Sequence, residues 1–403
     1  PRETMMITLL LMALPAQPAI KAADEMVALK AMERAFFVDE ARRNRAHYHN
    51  KKPLHGWQLK RAFSHGRPWP NQGLSSYSEG SPPALDIPWT MNTRVAAYMR
   101  FFTGRGRRTF QRWLDRSALL IPRLRPILEE VGAPRDLVYL AMIESGFRAR
   151  ARSRAGAQGV WQFIPATARA FGLKTGHFVD ERADLDQATR AAARYLLALH
   201  DRFGDWHLAW AAYNAGPGRV RRAQTRTSER DFWSISAALP RETRNYVPKL
   251  LAAATLAQRP EHYGFRTPNP DEVIATKTMP IARPLALSKI AEVCGLDSSL
   301  LWQLNPTLKQ GITPPEHLYG KAFKLRLPEV TPADCADKLA KLPVEENRYI
   351  QTYRIRRGDT LSGIARRWGA KVLEIARANN ITTRSTLRLG QKLIIPIPAK
   401  KRR

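Results

Sequence analysis

The stretch from Tyr139 to Pro165, "YLAMIESGFRARARSRAGAQGVWQFIP", sets the reading of this chain. A single carboxylate, Glu144, ends an apolar run. An Arg-rich segment, small residues and a second apolar cluster around Trp161 follow it. Upstream, Pro134 suits a first helical turn, and Asp136 complements the positive end of the helix dipole. Leu137, Val138, Leu140, Ala141, Met142 and Ile143 leave no polar face, and a helix apolar all round is buried. Gly146 is placed to end it. Glu144 then sits in the last turn of a buried helix. Burial withholds solvation from the charged form, and the negative end of the dipole opposes it as well, so both raise the carboxyl pKa. Such a Glu stays protonated near neutral pH and serves as a general acid. The plainer alternative is a helix-end Glu paired with Arg148 or Arg150.

The surroundings of this stretch are helical. From Asn92 to about Tyr263 the apolar spacing is that of helices, broken at "GRGR", "VGAP", "SRAGAQG", "KTGH", "RFGD" and "NAGPG". No alternating strand pattern competes. Residues 24–48 read as a charged amphipathic helix, and the Pro-, Gly- and Ser-rich residues 64–91 as a linker or extended arm. After residue 270 the character changes to a repeat. Leu287, Ser288, Ile290, Ala291, Gly295 and Asn305 recur at one constant offset as Leu361, Ser362, Ile364, Ala365, Gly369 and Asn379. Each copy has a strand-like lead-in and closes on a Gly, a short apolar run and a Pro, which gives a strand–helix–helix–strand unit.

The whole chain sets outer bounds. Its 403 residues imply two or three domains. Sixty-six basic against 35 acidic residues give a net charge of +31, which points to an anionic partner such as nucleic acid or a cell envelope. The apolar "MMITLLLMALPAQPAIKAADEM" reads as a signal-peptide core with small residues at Ala16 to Ala23, or else as a buried N-terminal helix. Cys294 and Cys335 are the only cysteines. They cannot form a disulfide framework, although one bridge is open to them, and neither lies where a lipid anchor would. His177, His200 and His207 lack metal-ligand spacing, and residues 104–107 lack the context of a phosphate loop. Asp180, Glu181, Asp184 and Asp186 form an acidic run suited to capping the helix that follows.

Four blocks in order carry a family signature. They are the "ES" at Glu144, "GAQGVWQFIPATA", "AAYNAGPGRV" and "ETRNYV". Together they resemble the lytic transglycosylases with a goose-lysozyme-type catalytic domain. The ending "DFWSISAALPRETRNYVPKLLAA" and the C-terminal repeat narrow the resemblance to the membrane-bound lytic transglycosylase D type. The second repeat, "RIRRGDTLSGIARRWG…NN…LRLGQKLIIP", resembles a LysM module. The first has "RPLA" in place of "GDT" and reads as a divergent LysM-like unit.

The resemblance implies Glu144 as the sole catalytic carboxylate. It implies Ser153, Gln162, Tyr213, Asn214 and Tyr246 as residues lining the sugar cleft. It implies a glycan groove at Gly358, Asp359, Thr360 and Leu361 and at Asn379, Asn380 and Ile381. Beside that, Leu361, Ile364 and Ala365 read as the inner face of a helix capped by Asp359 or Thr360, and Trp161 as core.

The expected architecture is multidomain and mainly α: a lysozyme-like all-α catalytic domain followed by small βααβ LysM-type modules. The divisions are a signal peptide or its remnant (1–23), a helical and Pro/Gly-rich arm (24–91) and the transglycosylase domain (92–265). A divergent LysM-like unit (270–330), a linker (331–347), a LysM domain (348–398) and a basic tail (399–403) follow. The implied activity cleaves the β-1,4 bond between N-acetylmuramic acid and N-acetylglucosamine with 1,6-anhydro ends, without metal or cofactor. The alternatives are a muramidase of the same fold and a non-catalytic peptidoglycan-binding protein. Peptidoglycan glycan is the expected partner, not nucleic acid. The expected location is the bacterial envelope, periplasmic or peripheral to the outer membrane.

Overall fold

The computed structural model describes residues 22–49, 84–267, 274–342, 350–379 and 381–397. The signal-like segment up to residue 21, most of the Pro/Gly-rich arm and the basic tail lie outside these. Helix α1 (Ala22–His49) precedes a bundle of α2 (Thr93–Thr103), α3 (Arg107–Glu130), α4 (Val138–Ser145), α5 (Pro165–Ala170) and α6 (Leu185–Phe203). The bundle continues through α7 (Trp206–Ala215), α8 (Pro217–Thr227), α9 (Phe232–Ile235) and α10 (Arg241–Gln258). Asn92 caps α2, Asp184 caps α6 and Asp205 caps α7, each accepting bonds from otherwise orphaned N–H groups. Among the described residues no helix is long and apolar enough to cross a membrane.

The all-apolar α4 lies inside the bundle, against α3 on one side and α10 on the other. Phe101, Phe102, Phe110 and Trp113 form an aromatic block in the same core. Each large side chain buried there contributes about 1.5–3 kcal/mol. The arm is less detached than its composition suggests. Leu29 and Phe36 of α1 are buried in the core, Ile87 joins them, and Trp89 donates to the Thr255 hydroxyl at 3.0 Å. Asp86 accepts from the N–H groups of Arg135 and Asp136 at the entry to α4.

The repeat folds as read, with additions. In the first unit β1 (Thr276–Ile281) pairs antiparallel with β2 (Phe323–Pro328), Thr276 opposite Pro328. Between them lie α11 (Leu287–Cys294), α12 (Ser298–Leu304) and α13 (Glu316–Tyr319), and α14 (Cys335–Ala340) follows. In the second, β3 (Ile350–Arg354) pairs with β4 (Lys392–Pro396) around α15 (Leu361–Trp368) and α16 (Val372–Ala378). Asn305 and Asn379 do the same work in each copy. The Asn305 amide bonds the backbone of Leu301 and Arg326, and that of Asn379 bonds Ile375 and Ile394. Each pins the second helix of its unit to the closing strand.

One boundary moves. Residues 331–347 read as linker, yet α14 lies within them and is bridged to α11 by the disulfide Cys294–Cys335. Cys335 and Leu339 are buried in the first unit's core, and Arg283 bonds the Leu342 carbonyl at 2.8 Å. A polar surface pattern conceals two apolar anchors on so short a helix. That core also takes Phe178 and Val179 from the helical bundle, with backbone bonds from Asp180 to Thr307 and from Lys309 to Phe178. Replacing both cysteines, Cys294→Ala with Cys335→Ala, is expected to destabilise this unit by about 2–4 kcal/mol. Chemical denaturation of the full chain with and without the bridge measures it, and an unchanged midpoint would refute a stabilising role.

Candidate active site

Glu144 closes α4, and the chain turns away sharply behind it. Gly146 and Phe147 both adopt positive φ, at 59° and 60°. A Cβ on Gly146 would collide with the Trp113 indole, so the turn needs glycine on steric as well as conformational grounds. Arg116 donates to the Gly146 carbonyl at 2.6 Å and clamps the turn from α3. Phe147 has no such excuse of size, and a non-Gly residue in this region is held there by its surroundings.

The Glu144 side chain is half-buried, open enough for a ligand yet largely stripped of water. Tyr246, on α10, donates its hydroxyl to Oε1 at 2.8 Å. Burial pushes the Glu144 carboxyl up to about 7, and the Tyr246 hydrogen bond moderates the rise. Burial, with the nearby Glu144 charge, also drives the Tyr213 and Tyr246 hydroxyls well above their ordinary range, so both remain neutral donors. Both candidate arginines have partners of their own. Arg148 pairs with Glu25 at 2.8 Å, and Arg150 donates to the carbonyls of Trp302 and Asn305.

The cleft-lining candidates gather on the loop and helices around this acid. Gln162 also has positive φ, 51°, and its amide N–H groups reach the carbonyls of Gly159 and Ala151 at 2.8 and 3.2 Å. That leaves its carbonyl oxygen as the group available to a ligand. Tyr213 donates to the Trp161 carbonyl at 2.7 Å, next to Gln162. Trp161 itself is core, its indole N–H bonded to Thr189. Asn214 Oδ1 accepts from Thr243 at 2.9 Å, one helical turn before Tyr246. Ser153 Oγ accepts from the Ala157 N–H at 3.0 Å and closes the 153–157 turn.

Three supporting residues act across segments distant in sequence. Arg182 is buried; its guanidinium bonds Asp180 and the carbonyls of Gly156 and Phe163, bracing the loop that presents Gln162. Gly159 lies so close to the Arg182 carbonyl that a Cβ would collide with it. Glu25, on α1, is buried among Arg112, Arg116 and Arg148. Thr243 positions Asn214. Only the pairing of segments far apart in sequence assembles them.

The second-repeat candidates divide. Gly358 has φ 84° in the turn before α15, and Thr360 caps that helix. The Asp359 carboxylate accepts from the Tyr353 hydroxyl and the Arg356 N–H, both at 2.7 Å, which holds its pKa down and leaves it shaping the loop. Leu361 is buried in the module core and the Asn379 amide is engaged with backbone. Ile381 is half-buried, and Asn380 lies outside the described residues.

The raised Glu144 pKa makes stability depend on pH. A carboxyl lifted from 4.5 to about 7 favours the fold below 4.5 and loses that advantage as pH rises through 7. Glu144→Gln is therefore expected to raise the melting temperature by a few degrees at pH 8, with the gain shrinking toward pH 5. A gain independent of pH would count against a buried, titrating Glu144.

Comparison with known proteins follows this geometry. Residues 129–236 match the transglycosylase SLT domain, residues 353–396 the LysM domain, and residues 275–344 the LysM-like domain of lytic transglycosylase MltD. Membrane-bound lytic murein transglycosylase D of Escherichia coli K12 is 36% identical over 273 residues, 65% of this chain. The chain spans 60% of that relative's length. Peptidoglycan transglycosylase gp16 of Escherichia phage T7 is 40% identical over 143 residues, 34% of this chain and 10% of that protein. Soluble lytic murein transglycosylase of Escherichia coli K12 is 32% identical over 124 residues, 28% and 19% of the two. A half-buried acid on an apolar helix, a tyrosine at its carboxylate and two LysM-type units agree with these matches: the chain carries a transglycosylase SLT domain followed by two LysM-type modules, and in this it is similar to the lytic transglycosylases of the D type.

Proposed function

We propose that this protein cleaves the β-1,4 bond between N-acetylmuramic acid and N-acetylglucosamine in peptidoglycan and leaves 1,6-anhydro ends. What carries the reading is the Glu144 carboxyl: raised to about 7 and hydrogen-bonded by a neutral tyrosine, with Arg148 and Arg150 engaged by other partners. Protonated, Glu144 delivers its proton to the glycosidic oxygen as the C1–O bond breaks. The carboxylate left behind then takes the proton of the muramic C6 hydroxyl, whose oxygen bonds to C1. The proton that Glu144 gave is returned, so no water is consumed.

A pKa near neutrality serves both halves of such a cycle, since one group is alternately acid and base. The Tyr246 hydroxyl favours the charged half. A hydrolase with two carboxylates would need a second free acid. Among the described residues, a carboxylate whose charge raises the Glu144 pKa is Glu242, and it is paired with Lys30 at 2.9 Å. Gln162, Tyr213 and Asn214 would hold the sugars. In the LysM module the glycan would meet the turn at Gly358 and the chain at Ile381, because the side chains of Asp359, Thr360, Leu361 and Asn379 are engaged within the module. An enzyme with this substrate acts in the bacterial envelope.

Mass spectrometry of sacculi digested by the full chain decides the product. Anhydromuramic ends are expected, and reducing muramic ends instead would establish the muramidase alternative. Glu144→Gln is expected to abolish turnover while peptidoglycan pull-down persists; retained cleavage would remove Glu144 from the mechanism. Tyr246→Phe removes a bond that lowers the Glu144 pKa, so the alkaline limb of the pH–rate profile shifts upward. Its kcat falls by about tenfold, the effect of losing ~1.4 kcal/mol in the transition state.

A further inference from the structure

The helical bundle, the first repeat unit and the second meet at one point, and a cavity of about 250 Å³ opens there. Arg152 and Arg182 reach it from the bundle, Lys309 from the first unit and Lys371 from the second. Two carboxylates share the cavity, and both are already engaged. Asp180 is paired with Arg182 at 2.7 Å, and Glu374 with His177 at 2.6 Å and Lys309 at 3.4 Å. Burial acts to raise the Glu374 pKa, but the His177 bond and the nearby lysines outweigh it and hold the carboxylate charged. Arg152 and Lys371 are exposed, and among the described residues neither makes an ion pair. The cavity thus has an excess of positive charge and, among the described residues, two cations from different units that make no ion pair. Thr175, also in its wall, has a buried hydroxyl without a hydrogen-bond partner.

Location supplies the ligand class. Arg152 directly precedes Ser153, and its neighbour Ala151 accepts from the Gln162 amide, so the cavity backs onto the loop that lines the proposed cleft. A glycan strand seated at Glu144 carries on each muramic residue a peptide with free carboxylates. The cavity is smaller than the roughly 300–1,000 Å³ that holds a whole small ligand, so it suits the end of a chain. Arginine and lysine bind such carboxylates by charge-assisted hydrogen bonds. We infer that this three-way junction is a binding site for the acidic stem peptide of the strand, with Arg152 and Lys371 as its carboxylate-binding groups. The inference rests on the peptidoglycan reading of the cleft. It also gives the docked LysM module a recognition role apart from its own sugar groove.

The test uses the full chain carrying Glu144→Gln, so that nothing is cleaved. Isothermal titration measures the affinity of a soluble disaccharide bearing its stem tetrapeptide and of a peptide-free N-acetylglucosamine tetramer. Adding Arg152→Ala and Lys371→Ala is expected to weaken the peptide-bearing ligand by about tenfold or more and to leave the tetramer unchanged. Arg152→Lys, which keeps the charge, should restore part of the loss. Equal affinity for the peptide-bearing ligand in both chains would overturn the assignment. So would equal losses for the two ligands, or a DNA duplex that displaces the muropeptide through the same two side chains. These are binding measurements, so the nature of the cleavage product does not enter them.

Discussion

Dehydration of one carboxyl group governs the arrangement of the helical domain. α4 is apolar on every side, and it carries Glu144 to a place where water is scarce and a single tyrosine hydroxyl replaces it. Desolvation alone would hold the acid neutral and idle. Tyr246 offsets part of that penalty, and the resulting pKa of about 7 keeps both protonation states within reach near neutral pH. Lys30 and Lys249 also act to lower it, each while paired with another carboxylate, Glu242 and Glu33, and the neighbouring arginines are directed elsewhere.

That diversion has a structural basis. Arg112, Arg116 and Arg148 converge on Glu25 of α1, and Arg150 stacks over the Trp302 ring at 3.9 Å. A buried carboxylate among three guanidiniums is costly to leave unpaired, so α1 is fixed as part of the domain. Through Arg116 the same network reaches the Gly146 carbonyl and the left-handed turn that ends α4. The acid's position is thus set from both chain directions.

Much of this was legible in the sequence, for particular reasons. An unbroken apolar run, Gly146 as terminator and the repeated Leu–Ile–Ala–Gly–Asn spacing are local signals, and α4 and both repeat units follow them. Asn379 occupies a groove position in the module pattern, and its amide also binds backbone, as that of Asn305 does, which only strand pairing reveals. Arg182, Glu25 and Thr243 escaped because the segments they brace are remote in sequence. The supposed linker at 331–347 escaped because α14 has only two buried anchors, one of them a cysteine whose partner composition alone cannot assign.

The shared core beneath the first repeat unit alters how the molecule divides. Phe178 and Val179 belong by sequence to the helical bundle, yet they pack among Leu287, Ile290 and Leu325 of the repeat. The Tyr319 hydroxyl crosses the same seam to the buried Glu181 at 2.7 Å. A chain cut near residue 270 would leave those apolar side chains facing water and that carboxylate with the Lys174 N–H but without the Tyr319 hydroxyl. The smallest autonomous folding unit is therefore larger than the segment that carries the chemistry. Sequence change in the divergent repeat would be screened first by its fit to the bundle, and only afterwards by any affinity of its own.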